Sequence, residues 1–294
     1  MPRDDLPFLM SFLFKAKRAG AIPSAIFFVI FFTLLSILGS AYLAIGIGNP
    51  VNKATGALIA NTSFKHDAGT YFVSKALETA KGDERKVLTQ KGPEISQTIT
   101  AFLGNPIFHS QLNQISDIAY HYYTSGTKVK QSIDVKPIAT LALLGLESVD
   151  PQFAQLKKEL DKIKPIKLQP QTNGPDAASV KSDFSLVVLL LLLLSLLTLF
   201  LYLLFAKGGK LAIRTLSYIL LVDGVLLVVI KIVASAIISH QASIETDSLA
   251  REAIPIAASP ILSPFFSLGL FELLLGVIAL GLTFLKRVNI KSQG

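Results

Sequence analysis

Residues 184–206 read FSLVVLLLLLLSLLTLFLYLLFA, a stretch without a single charge. A helix rises about 1.5 Å per residue, so a segment of this length covers the roughly 30 Å hydrocarbon core of a bilayer. A helix that is apolar all round belongs in a membrane or deep inside a large protein. The stretch predicts a membrane span, and three others predict the same: 21–48, 211–239 and 264–285. The expected fold class is an all-α membrane protein with four transmembrane helices. Between helices 1 and 2 stands a small, mainly helical extracytoplasmic domain.

The basic residues beside these spans orient the chain. Lys15, Lys17 and Arg18 precede the first span, as they would in a signal peptide. The apolar stretch outruns the 7–15 residues of a signal core, however, and no small-residue cleavage site follows. An uncleaved anchor is expected. Arg3, Lys15, Lys17 and Arg18 fall in the tail 1–20, Lys207 and Lys210 in the turn 207–210 with Arg214 just beyond, and Lys286, Arg287 and Lys291 in the tail 286–294. Basic residues gather on the cytoplasmic side. Both termini are therefore expected in the cytoplasm of a bacterial plasma membrane, with 49–183 and the loop 240–263 outside. That loop carries Arg251 against Glu245, Asp247 and Glu252, and its Pro255, Pro260 and Pro264 predict a broken, interfacial segment.

The whole-chain averages follow from this layout. Of 294 residues 51% are hydrophobic and 16% charged, with net charge +8 and no Cys. Low charge and missing cysteine exclude a disordered chain, a disulfide-stapled domain and a thiolate metal site. The net charge suggests nucleic acid until its residues are located. The segment 49–183 holds 16 Lys and Arg against 13 Asp and Glu, and the excess sits beside spans, where it meets anionic headgroups. No nucleic-acid partner is expected. The lipid bilayer is the first partner, and a protein partner or a second copy of the chain the next.

Within 49–183 the apolar spacing is helical. A helix is expected around 70–80. Another starts at Pro93-Glu94 and carries Ile95, Ile99 and Phe102. A third opens at Asn105-Pro106, with Phe108, Leu112, Ile115, Ala119 and Tyr122 on one face and Gly126 as its stop. Residues 136–146 suit a buried helix. Asp150 caps a further one through Phe153, Leu156, Leu160 and Ile163. Only 129–135 alternates like a strand, and the proline-containing 165–183 reads as a linker.

Chemistry is sparse. No nucleophile elbow, zinc-protease, phosphate-loop or dinucleotide pattern occurs. His66, His109, His121 and His240 include no two at the four-residue spacing of a helical zinc site. No metal site, no cofactor and no catalytic function are expected. Tyr120, His121, Tyr122 and Tyr123 form a cluster able to serve as an interaction surface, although rings at a helix end more commonly pack on their own core. Asn61-Thr62-Ser63 fits a glycosylation sequon, a frequent chance match.

Ionisable groups inside a membrane are costly and usually face protein, water or an opposite charge. Asp223, Lys231 and Glu272 are the three candidates. Lys231 lies nine residues before His240 and Glu272 eight after Pro264, roughly 12–14 Å below the outer surface in each case. An ion pair between them is expected, with Asp223 about two turns deeper. A proton or ion path is the competing reading. Gly269, Gly276 and Gly281 allow close helix contacts without the usual glycine-zipper spacing.

Two resemblances follow from these residues. Phe108, Gln111-Leu112-Asn113, His121, Gly126 and Ile133-Asp134-Val135-Lys136-Pro137 resemble the outside domain of uncharacterised integral membrane proteins of actinobacteria and related Gram-positive lineages. Those proteins share the layout of one span, a domain and three spans, and the resemblance implies a class without an activity. The span order is also similar to that of permease subunits of mechanotransmitting ABC transporters, of the cell-division and macrolide-efflux kinds. Those carry a long cytoplasmic connection between spans two and three, for which 207–210 leaves no room, so this similarity is one of topology. The expected role is a non-catalytic structural or interaction subunit of a cell-envelope or surface complex. The alternative is a permease-like component of a transporter.

Overall fold

The computed structural model describes residues 5–124, 131–168, 177–206 and 209–291, with side chains from residue 21 to residue 284. The stop at Gly126, residues 207–208 of the turn 207–210 and residues 169–176 of the linker 165–183 lie outside the described residues. The chain divides into two units. One comprises Met1–Ile47, Asp183–Ala234 and Leu262–Gly294, the other Gly48–Ser182 and Ser235–Ile261.

The first unit is built from four long helices: α1 (Asp5–Ala41), α8 (Ala177–Phe205), α9 (Gly209–Ser243) and α10 (Ser248–Lys291), the last three each having one end assigned to the second unit. The segments long and apolar enough to cross a bilayer are Ala21–Gly46, Ala178–Phe205, Gly209–Ser243 and Ser248–Phe284. Their surfaces are reversed relative to a water-soluble bundle. Leu193, Val222, Leu274 and Val277 are at least 60% exposed, while Ser40 and Ser217 are fully buried. Such a surface belongs in lipid. The chain is a multi-pass membrane protein in its architecture.

Helices α9 and α10 pack closely because three glycines remove the side chains between them. A Cβ on Gly224 would lie 2.6 Å from the Gly269 carbonyl oxygen, and one on Gly276 would lie 3.0 Å from that of Ser217. Gly281 faces open space. At the end of α1 the helix widens into a π turn, Tyr42–Gly46, and the Tyr42 ring meets that of Phe184 edge-on at 5.8 Å.

The expected break at 240–263 does not occur. Helix α9 continues to Ser243 and α10 begins at Ser248, with Pro255, Pro260 and Pro264 inside it. Asp247 starts α10 by accepting from the amides of Leu249 and Ala250 at 2.9 and 3.0 Å. A proline removes one helical hydrogen bond and bends the axis rather than ending it when the flanking turns are well packed.

The second unit follows its capping signals. Helix α2 (Pro50–Ala60) is capped by Asn49, whose oxygen accepts from the Val51 amide at 2.9 Å. Asn61 caps α3 (Thr62–Thr79) through the Phe64 amide, which gives the sequon asparagine a structural task. Helix α4 (Gly82–Leu103) starts a full eleven residues before Pro93, which is internal rather than first. Its early turns form because Gly82 takes φ +56° and Asp83 and Glu84 meet the positive helix end. Helices α3 and α4 touch at Gly69, where a Cβ would stand 2.5 Å from the Ser96 carbonyl oxygen. Helices α5 (Pro106–Thr124) and α6 (Lys136–Val149) match the spacing, and the Phe102 and Phe108 rings pack with centroids 4.5 Å apart, tilted by 45°. Asp150 caps a 3-10 turn (Pro151–Leu156) that runs into the short α7 (Lys157–Leu160). The two short strands, β1 (Ser132–Ile133) and β2 (Ile166–Lys167), pair antiparallel, so the start of the expected linker is held in place.

Candidate functional site

Each helix of the membrane unit turns polar side chains inward. On α8 the buried positions are Leu191, Ser195, Thr198 and Tyr202, a seam at steps of four, three and four. On α1 they include Ser24, Phe28, Ser36 and Ser40, with Ala44 following on the π turn. Helix α9 contributes Ser217, Asp223 and Leu227, and α10 contributes Glu272 between Gly269 and Gly276. Hydroxyls can bond their own helix, as Thr198 does to the Leu194 carbonyl at 2.8 Å and Ser217 to that of Ile213 at 2.7 Å. Others do not. Among the described residues the side-chain oxygens of Ser40 and Ser195, Oδ2 of Asp223 and Oε2 of Glu272 are buried without a hydrogen-bond partner.

The helix contacts set the levels. In an antiparallel pair a step forward along α10 is a step back along α9. With Gly224 against Gly269, Glu272 stands level with Leu221 and within a turn of Asp223. Ser36 Oγ donates to Glu272 Oε1 at 2.9 Å. The carboxyls are 2% and 4% exposed.

Lys231 is elsewhere. Ten residues beyond Leu221, it is about 15 Å further along the axis, with Nζ 5.7 Å from the centre of the Phe266 ring. Among the described residues no carboxylate pairs with it. The expected ion pair of Lys231 and Glu272 is therefore not formed. Depth counted from Pro264 misplaced Glu272, because α10 starts about four turns earlier, at Ser248. Glu272 instead stands near the level of Asp223, with Ser36 as its hydrogen-bond donor. The sequence signal for the hydroxyls was present: Ser195, Thr198 and Tyr202 interrupt the leucines at seam spacing. In a stretch read for its lack of charge they pass unnoticed.

The aromatic cluster at the end of α5 divides. Tyr122 is a core residue, 6% exposed, with its hydroxyl 3.4 Å from the Leu168 carbonyl oxygen. It belongs to no surface, as the packing of rings on the domain core would have it. Tyr120 receives Lys181, whose Nζ lies 5.1 Å from the ring centre and 3.3 Å from the hydroxyl. His121 and Tyr123 are exposed. Asp117 stands one turn before His121, but its Oδ1 accepts from Asn49 and Asn52 at 2.9 and 2.7 Å.

The second unit also holds a cleft of about 380 Å³ lined by Asp67, Thr70, Tyr71, Ser74, Ser248, Leu249 and Glu252. It lies where α3 meets the start of α10. The Tyr71 hydroxyl donates to Asp247 Oδ2, which ties the two together. That bond, with the Ala250 and Leu249 amides, holds the Asp247 carboxyl below its ordinary range, and it raises the Tyr71 phenol. Among the described residues no three His, Cys, Asp or Glu come together in a way that would hold a metal ion. Comparison with known protein families, curated proteins and solved structures finds no match to this chain.

Proposed function

We propose that the chain is a non-catalytic interaction subunit of a cell-envelope complex, anchored by four helices and engaging its partner through the unit that contains 48–182. The basic flanks support placing both termini in the cytoplasm and this unit outside. The observation that carries the reading is the cleft on α3. It is built from two distant chain segments, fastened by Tyr71 and Asp247, and lined by hydroxyls and carboxylates without a catalytic constellation. A polar recess of this kind suits a protein or peptide carrying basic and hydrogen-bonding groups.

Gentle detergent extraction followed by identification of co-purifying proteins tests it. The parent chain should recover an envelope protein in fixed ratio, and Ser74→Arg, which fills the cleft with a long cation, should lose that protein while remaining in the membrane. Recovery unchanged in Ser74→Arg would remove the cleft from the reading. Recovery of an ATPase would favour the second reading, a transporter component, which the buried Asp223 and Glu272 support.

A further inference from the structure

The interior of the membrane unit has a charge requirement that its own side chains do not meet. Asp223 and Glu272 stand within a turn of each other's level, set by the contact of Gly224 with Gly269, and one oxygen of each is buried without a hydrogen-bond partner among the described residues. The side chain that meets Glu272 is a hydroxyl, Ser36, rather than a cation. Helix α1 from Ala21 and α8 beyond Asp183 carry no cation within the described residues of this unit. On α9 the cations are Lys231, held at Phe266 about 15 Å along the axis, and Arg214 and Lys210 near the helix start. From Leu262 to Phe284, α10 carries no ionisable group besides Glu272.

A proton held at such a pair would relieve both the repulsion of two ionised carboxylates and the loss of their hydration in a low-dielectric interior. The hydroxyls add an independent pointer. Ser40 Oγ is fully buried and unpartnered, one turn past Ser36 and 40° around the same face of α1. Ser195 Oγ, 3% exposed and on the α8 seam, is unpartnered as well. A seal between helices needs no such spare hydrogen-bonding capacity. A site that accepts and releases a proton does.

We propose that Asp223 and Glu272 form an exchangeable proton-binding site within the membrane, with Ser36 positioning Glu272 and the Ser40 hydroxyl, one turn along the same face of α1, giving the proton a polar route to it. The site is independent of the docking role assigned to the cleft. Infrared difference spectroscopy of the full chain in lipid nanodiscs tests it. Near neutral pH the parent chain should show the carbonyl stretch of a protonated carboxyl. That band should shift in D2O without unfolding and disappear on alkalisation. Glu272→Gln should abolish it, and Asp223→Asn should move its midpoint by at least tenfold in proton concentration. Circular dichroism confirms that the variants are helical. If either fails to fold, the D2O shift and the titration of the parent chain decide alone. No band near neutral pH would overturn the proposal. So would a band that neither exchanges nor titrates, which marks a sealed structural acid. A band displaced by sodium, potassium or calcium at constant pH would make this a metal-cation site and overturn it too. So would an unchanged midpoint in Asp223→Asn.

Discussion

Tyr71 and Asp247 are 176 positions apart in sequence and joined by one hydrogen bond, which makes their protonation a stability switch in the second unit. The Asp247 carboxyl is lowered in the folded chain, so its contribution is present above the ordinary value of 3.8 and lost as pH falls through the folded one. Tyr71 is raised, so its contribution is full below 10.0 and lost as pH rises through the folded value. Tyr71→Phe should therefore lower the thermal midpoint between these limits. The deficit relative to the parent chain should shrink at either extreme, as a pH series of melts followed by circular dichroism would report. A deficit independent of pH would assign the loss to packing instead. The same scale explains why Tyr122 and Tyr123 differ: adjacent residues on a helix point about 100° apart, so one ring enters the core and the next leaves it.

Among the elements, α9 and α10 depend on backbone proximity that only glycine permits. Gly269→Leu would drive a side chain into the Gly224 carbonyl and the Leu227 and Val228 side chains. An overpacked contact of this kind costs about 1–3 kcal/mol or more. Gly281→Ala, in open space, should stay within about 0.5 kcal/mol of the parent. Thermal unfolding of the two variants in one detergent gives the comparison. Apolar length and capping residues made most elements readable in advance: the α8 leucines, Asn105-Pro106 and Asp150-Pro151 each announce a helix or its start. The misreadings were at prolines. Pro93, Pro255, Pro260 and Pro264 looked like boundaries because a missing amide is a local fact, whereas a helix that runs through one is sustained by its flanking turns. Of the candidate site, Asp223 and Glu272 were visible as single costly residues. Their shared level was not, because register between two helices comes from Gly224 meeting Gly269, a contact that no spacing within one helix encodes.

At the scale of the whole molecule, the charge of +8 and the hydrophobic content of 51% divide between different regions, basic flanks and apolar spans. The absence of cysteine gives every introduced thiol a clean background. Single cysteines at Ser74 and at Lys210, probed with a membrane-impermeant maleimide on intact cells, should label the first and spare the second. The reverse pattern would invert the proposed topology. The polar interior of the membrane unit also bears on biogenesis. Asp223 and Lys231 each oppose insertion by about 2.5–3.5 kcal/mol near a helix centre, against about −0.5 kcal/mol for each Leu. Helix α8 can enter lipid as soon as it is synthesised, whereas α9 gains from waiting for α10, which follows after only four residues. Burying Glu272 then depends on α1, the first helix made, being at hand to offer Ser36. The polarity that furnishes the site also gives the nascent chain a sequence of events, in which the last helix to emerge completes the lining begun by the first.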